Sequence, residues 1–158
     1  ACDKGFHEQL LEGILIGQPI VNVRVVLNDG QTHPVDSSEM AFKLASKYAM
    51  REALAKASPV ILEPIMKLEV TAPEEFQGNI IGQINQRRGI IHSTRVEGAF
   101  VVVEAEVPLK EMFGYSSELR SATQGKGEFT MEFLRYAQVP KAIQDEIIEE
   151  YKKNKAKK

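Results

Sequence analysis

Three histidines (His7, His33 and His92), a single cysteine (Cys2) and a Gly125-Lys126-Gly127 run are the residues of this chain best suited to chemistry. A metal site needs three or four converging ligands. Here only Asp3 and His7, at i and i+4, share a helix face, so no metal set is readable. No Ser-His-Asp or Cys-His arrangement can be read either, because such triads are spatial, and Cys2 lies at the chain end. A phosphate loop needs Ser or Thr after its lysine and a glycine five residues before that lysine, so that backbone amides wrap the anion. In this chain Lys126 is followed by Gly127, and the loop leads into a strand, so it reads as a helix-to-strand turn. Glu104 and Glu106 point the same way from one strand. Paired carboxylates can do acid–base work, but a solvated sheet face is the plainer reading. No catalytic residue emerges.

Two features remain that suit an anionic polymer. Arg87-Arg88 close a helix just before Gly89, where cations favour the helix dipole and where guanidinium groups can also hold phosphate bidentately. Arg120 and Lys126 would extend that patch. His33 lies in the connection Asn28-Asp29-Gly30-Gln31-Thr32-His33-Pro34-Val35-Asp36. It is either an ordinary exposed loop histidine or the centre of a protruding tip, Gly30 to Pro34, whose neutral imidazole can stack on RNA or hydrogen-bond to it.

Bulk properties set the context for these groups. The chain has 158 residues, 43% hydrophobic and 27% charged, which is ordinary for a globular protein. It can bury a core without disulfides, and one cysteine permits no intrachain bridge, which points to a reducing compartment. No apolar run approaches the roughly 18 residues of a membrane span, and the first residues lack a signal-peptide core. The net charge of -2 argues against nucleic-acid binding by bulk charge but leaves local basic patches open. The lysines of residues 152–158 read as a solvated tail, with a specific RNA arm as the alternative.

The elements follow from periodicity. Residues 3–12 read as a helix capped by Asp3, and Gly13 ends it. Residues 20–27 read as a strand with Val21, Val23, Val25 and Leu27 on one face. After a turn at Asp29-Gly30, Asp36 and Glu39 form a capping box, with Val35 and Met40 as a hydrophobic staple. That helix runs to about residue 57, and its alanines (Ala41, Ala45, Ala49, Ala53, Ala57) would let it pack closely on a sheet. Ser58-Pro59 stops it.

A strand over residues 65–71 follows, then a helix from Pro73 to Arg88, with Gly89 at the position past its C-cap. Strands over 90–96 and 99–107 join at Glu97-Gly98. An irregular helix over 109–124 is interrupted near Gly114. A last strand over 128–136 has Phe129, Met131 and Phe133 inward, and a final helix from Pro140 carries Ile143, Ile147 and Tyr151 as a stripe. Residues 64–137 thus spell β-α-β-β-α-β, the split βαβ order of ferredoxin-like folds. Residues 1–62 offer helix, strand, helix. One strand makes no sheet, so the expectation is that partner strands precede Ala1 in a longer protein. The class is α+β, with segments 1–62, 63–138 and a helix-plus-tail segment 139–158. Ferredoxin-like folds host phosphatases as well as RNA binders, but the strand AFVVVEAEV lacks the stacking aromatics of an RNA-recognition motif.

Two regions resemble a known family. DGQTHPVDSSEMAFKLA is similar to the strand–loop–helix of the fourth domain of elongation factor G. LEPIMKLEV, EFQGNIIGQINQRRGII and VPLKEMFGYSSELRSATQGKGEFTMEF resemble its fifth, C-terminal domain. The resemblance covers residues 1 to about 138. It implies a partial β-α-β fourth domain with a left-handed crossover, similar to the second domain of a small-subunit ribosomal protein, followed by a ferredoxin-like fifth domain. It implies a role in GTP-dependent translocation of tRNA and mRNA, with GTP and Mg²⁺ held by upstream domains and no cofactor in this chain. It places Gly30, Gln31, Thr32, His33 and Pro34 on a tip loop that reaches the tRNA–mRNA duplex in the decoding region. Pro34 departs from the acidic residue common there, removing a charge that would repel phosphate. Arg87, Arg88, Arg120 and Lys126 become candidate rRNA contacts. The implied partners are the ribosome's decoding region, its GTPase-associated rRNA and stalk-base protein, and the sarcin-ricin loop region. The bacterial cytoplasm is the expected compartment, with the mitochondrial or plastid matrix as the alternative, and neither a membrane nor an obligate oligomer is implied. Rival readings are a mitochondrial paralogue specialised for ribosome recycling, a stand-alone RNA-binding module, and a small phosphatase using Arg87 or Arg88.

Overall fold

Strands rich in β-branched residues, alternating apolar and polar, organise the second half of the chain. In the computed structural model, which describes residues 1–157, β1 (Leu62–Pro73), β2 (Ile90–Glu97), β3 (Phe100–Pro108) and β4 (Glu128–Gln138) form one antiparallel sheet in the order β2-β3-β1-β4. Helices α3 (Gln77–Gln86) and α4 (Tyr115–Ala122) provide the crossovers. This is the ferredoxin-like order expected from the sequence. Leu68, Val70 and Ala72 of β1 and Val101, Val103, Ala105 and Val107 of β3 meet Ile80 and Ile84 of α3 and Tyr115 and Leu119 of α4 in one core. The β2–β3 hairpin turns at Gly98, which takes a left-handed φ of 66°. Gly114, at φ 79°, separates a short 3₁₀ turn (Leu109–Met112) from α4, which accounts for the irregular helix read from the sequence.

This unit, Leu62–Val139, is one of two compact units; the other is made of Ala1–Ile61 with the segment from Pro140 onward. In the latter, α1 (Cys2–Leu11) packs on α2 (Glu39–Lys56), and α5 (Lys141–Ala156) belongs to the same unit. Gly5 lets the first two helices approach closely, because a β-carbon there would collide with the Lys43 carbonyl. α2 buries Ser46, Met50 and Leu54, an i, i+4, i+8 stripe. The α5 side chain Gln144 accepts a 2.9 Å hydrogen bond from the Ile61 N–H.

Several expectations are corrected. Residues 20–27 form no strand: Val21, Val23, Val25, Val26 and Leu27 are all exposed, Asn22 takes a left-handed φ of 58°, and no strand pairs with them among the described residues. Alternation alone cannot close backbone hydrogen bonds without a partner. The alanine stripe of α2 covers no sheet, since Ala45, Ala49 and Ala53 face solvent. Asp3 lies inside the first turn of α1, whose N-cap is Ala1. Phe133 lies on the helix side of β4 but is 55% exposed, because β4 is an edge strand and the register shifts beside it, opposite Ile65/Met66.

Candidate nucleic-acid interface

The tip loop is built by local polar bonding. Asp29 Oδ1 accepts the Gly30 N–H at 2.7 Å. The His33 N–H donates to Ser37 Oγ at 2.6 Å, and the Ser37 N–H donates back to the His33 carbonyl at 3.1 Å. This pair closes a turn over Pro34, Val35 and Asp36. His33 Nδ1 lies 3.4 Å from the Val35 N–H and 3.3 Å from the Asp36 carboxylate. These contacts hold one side of the ring, which stays 67% exposed, and Nε2 has no partner among the described residues. All of residues 21–40 are exposed. The loop therefore presents an imidazole edge, an aromatic face and the flanking backbone at Gly30, Gln31 and Thr32, all chemistry that suits unpaired or duplex-edge RNA. Gly30 has no left-handed φ, and a β-carbon there would meet nothing within 4 Å, so the turn over Pro34 shapes the loop and Gly30 does not.

The helix cap is also revised. Ser38, not Asp36, is the N-cap of α2, and its hydroxyl accepts the Ala41 N–H at 3.0 Å. Asp36 is instead drawn to the His33 ring, and Ser37 bonds back to the His33 N–H. The polar side chains are thus shared between the tip turn and the cap, which moves the helix start two residues on. Val35 and Met40 are both exposed and form no staple.

The four candidate basic residues fall into two kinds. Arg87 and Arg88 hold the fold together. Arg87 donates to the backbone carbonyls of Glu111 and Phe113, pairs with the Glu118 carboxylate, and lies over the Tyr115 ring at 5.1 Å. Arg88 donates to both carboxylate oxygens of Glu63, at 3.0 and 2.9 Å, and to Glu111 at 3.2 Å. These bonds, the Glu63 bond foremost, hold its guanidinium pKa above the ordinary value. Arg88, not Gly89, takes the left-handed position past α3, with φ 57°. Its N–H donates to the Asn85 carbonyl and the Gly89 N–H to the Ile84 carbonyl, the bond pair of a Schellman motif. Gly89 is needed for space instead: a β-carbon would sit 2.8 Å from the Ile84 carbonyl oxygen and crowd the Ile84 side chain.

Arg120 and Lys126 are exposed and pair with no carboxylate among the described residues. The motif ending α4 brings them to one turn, where the Gly125 N–H donates to the Arg120 carbonyl at 2.8 Å and the Lys126 N–H to the Thr123 carbonyl at 3.0 Å. Thr123 Oγ1 accepts the Gly127 N–H at 2.8 Å, and a β-carbon on Gly127 would lie 2.7 Å from that oxygen. The Gly-Lys-Gly run is therefore a packed helix-to-strand turn.

Facing away from the core, the central strands present Lys67, Glu69, Glu104 and Glu106, where an RNA-stacking sheet would show aromatic rings. Arg95 binds Glu69 at 3.3 Å, Glu97 at 2.8 Å and also Glu104, while Glu106 takes Arg135 at 2.6 Å and His92 at 3.1 Å. Glu104 and Glu106 are thus committed to ion pairs. Hydrogen bonds from Arg95 and Arg135 respectively hold their pKa values below the usual carboxylate value of 4.5. The unfolded chain consequently binds more protons than the folded one in this range, so stability is present above pH 4.5 and falls as pH drops through the depressed values. Urea midpoints measured across this acid range should fall less steeply for an E104Q/E106Q variant than for the parent. Identical slopes would contradict the assignment.

Comparison with known proteins follows the same division of the chain. The family model described as "Elongation factor G, domain IV" matches residues 1–58, and "Elongation factor G C-terminus" matches residues 60–147. The chain belongs to the elongation factor G family. Elongation factor G 2 of Bdellovibrio bacteriovorus is 59% identical over 156 residues, covering 99% of this chain and 22% of that protein. Elongation factor G 1 of Treponema pallidum is 55% identical over 155 residues, 98% of this chain and 22% of that protein. A crystal structure from Thermus thermophilus superposes with a TM-score of 0.83 at 39% identity, covering 96% of this chain and 23% of that one. The chain spans about a fifth of the length of the curated elongation factor G proteins it matches. Among the described residues no helix is long and apolar enough to cross a membrane.

Sequence reasoning missed the carboxylates Glu63, Glu111 and Glu118. They lie 23 to 31 residues from the arginines they hold, and no local spacing links them. The one available signal was a glutamate in the otherwise apolar start of β1.

Proposed function

We propose that this chain is the ribosome-engaging C-terminal part of an elongation factor that promotes GTP-dependent movement of tRNA and mRNA. The observation that carries this reading is the pair of successive family matches, domain IV over residues 1–58 and C-terminus over residues 60–147. The site geometry supports it: an exposed loop presents His33 with one ring nitrogen unpartnered, beside a proline that adds no negative charge. The role is recognition and mechanical coupling. The tip meets the tRNA–mRNA duplex in the decoding region, and Arg120 and Lys126 reach rRNA phosphate on the large-subunit side, near the GTPase-associated rRNA and the sarcin-ricin loop region. GTP and Mg²⁺ belong to the upstream domains of the whole factor, and the setting is the bacterial cytoplasm.

The test is removal of this entire segment from the full-length factor. Ribosome-stimulated GTP hydrolysis should persist while tRNA–mRNA movement is lost. Undiminished movement without residues 1–158 would overturn the reading.

A further inference from the structure

Within the unit that contains the tip loop, groups far apart in sequence line a recess of about 220 Å³. α2 supplies Lys47 and Arg51, α5 supplies Tyr151 and Lys155, and the end of α1 supplies Gln9 and Glu12. Three cations thus face one carboxylate. Nearby Glu8 is already engaged by Lys43, and its other oxygen is 3.9 Å from Lys47. Arg51 and Lys155 have no carboxylate partner among the described residues, whereas Arg87, Arg88, Arg95 and Arg135 each hold one. Lys155 Nζ instead lies 6.0 Å from the centre of the Tyr151 ring. That ring is seated by Gly17 at φ 71°, where a β-carbon would come within 2.7 Å of the tyrosine hydroxyl. Lys152, three residues before Lys155 on α5, lies on the same side of that helix.

We propose that this recess docks the phosphate backbone of RNA, with Arg51 and Lys155 on the phosphate and the Tyr151 ring beside the nucleotide. Unpaired cations next to an aromatic face are the combination that binds single-stranded nucleic acid without reading its sequence. A further cation beyond the recess, Lys152, suits a polyanion better than an isolated ion. The inference rests on the ribosome-binding reading only in naming RNA as the polymer.

The experiment measures binding of a short labelled single-stranded RNA to the 158-residue chain across a salt series. Arg51 and Lys155 are exposed, so the R51Q/K155Q variant should keep the parent's melting curve. It should bind RNA about tenfold more weakly, and its log affinity against log salt slope should shrink by about 1.4, the share of two phosphate contacts on a single strand. K56Q/K110Q, which removes the same charge elsewhere, should bind as the parent does. Equal losses in R51Q/K155Q and K56Q/K110Q would mean bulk charge and overturn the proposal, as would an unchanged affinity and slope. A third contrary result is displacement of the Arg51 side-chain NMR signal by millimolar inorganic phosphate but not by RNA. None of these results bears on the translocation assay of the full-length factor, so the two readings fail separately.

Discussion

Replacing Arg88 by alanine is expected to destabilise the sheet unit by about 2–3 kcal/mol. Its partner Glu63 has a side chain only 10% exposed, and Arg88 itself is 26% exposed. Removing the guanidinium leaves a largely buried carboxylate without its bidentate donor, and losing one member of such a pair costs more than the pair contributes. Two elements would loosen together, because the same guanidinium also reaches Glu111 in the turn after β3. Arg88→Gly separates the causes. It loses the same ion pairs but removes a side chain from a left-handed φ of 57°, so it should be less damaging than alanine by about 1 kcal/mol. Amide exchange at Val70 and Val103, in the core of the sheet, reads the opening free energy directly. A loss below about 0.5 kcal/mol would place Arg88 among ordinary surface pairs and contradict this assignment.

The Arg88 result also decides how the basic patch should be probed. Arg87 and Arg88 variants would disturb the fold whether or not either residue touches rRNA. Arg120 and Lys126 carry no such burden, so they are the residues whose replacement reports on contact.

The sheet unit was legible because its determinants are local. Alternation in AFVVVEAEV, the Glu97-Gly98 turn, and the glycine breaks at Gly114 and Gly125 each specify their element within a few residues. What escaped the sequence depended on partners at a distance. The valines of residues 20–27 alternate as a strand does, yet they pair with nothing in the described chain. Arg88 in place of glycine at a left-handed position makes sense only once Glu63 and Glu111 are seen beside it. In the tip loop, Asp36, Ser37 and Ser38 are nearly interchangeable as caps on paper. The His33 backbone and ring decide among them, by engaging the first two and leaving Ser38 to the helix. The resemblance singled out Gly30 to Pro34, but the exposed imidazole and the turn beneath it could be described only from the structure.

The second large effect concerns His33. Its ring is tethered on the Nδ1 side, so alanine removes the presented edge and face while the Ser37 bonds to the His33 backbone remain. The loop turn should survive, and the loss is one of contact. If the tip stacks on or hydrogen-bonds to the tRNA–mRNA duplex, losing one such contact is worth about tenfold in rate. The effect should fall on movement, because the altered group is the one proposed to touch the duplex. The decisive measurement is therefore a pair of rates from the same ribosome preparation, tRNA–mRNA movement and GTP hydrolysis, for the full-length factor with His33→Ala. Movement slowed about tenfold with hydrolysis unchanged is the predicted result. Equal slowing of both rates, or no slowing of either, would contradict a working role for His33 at the tip.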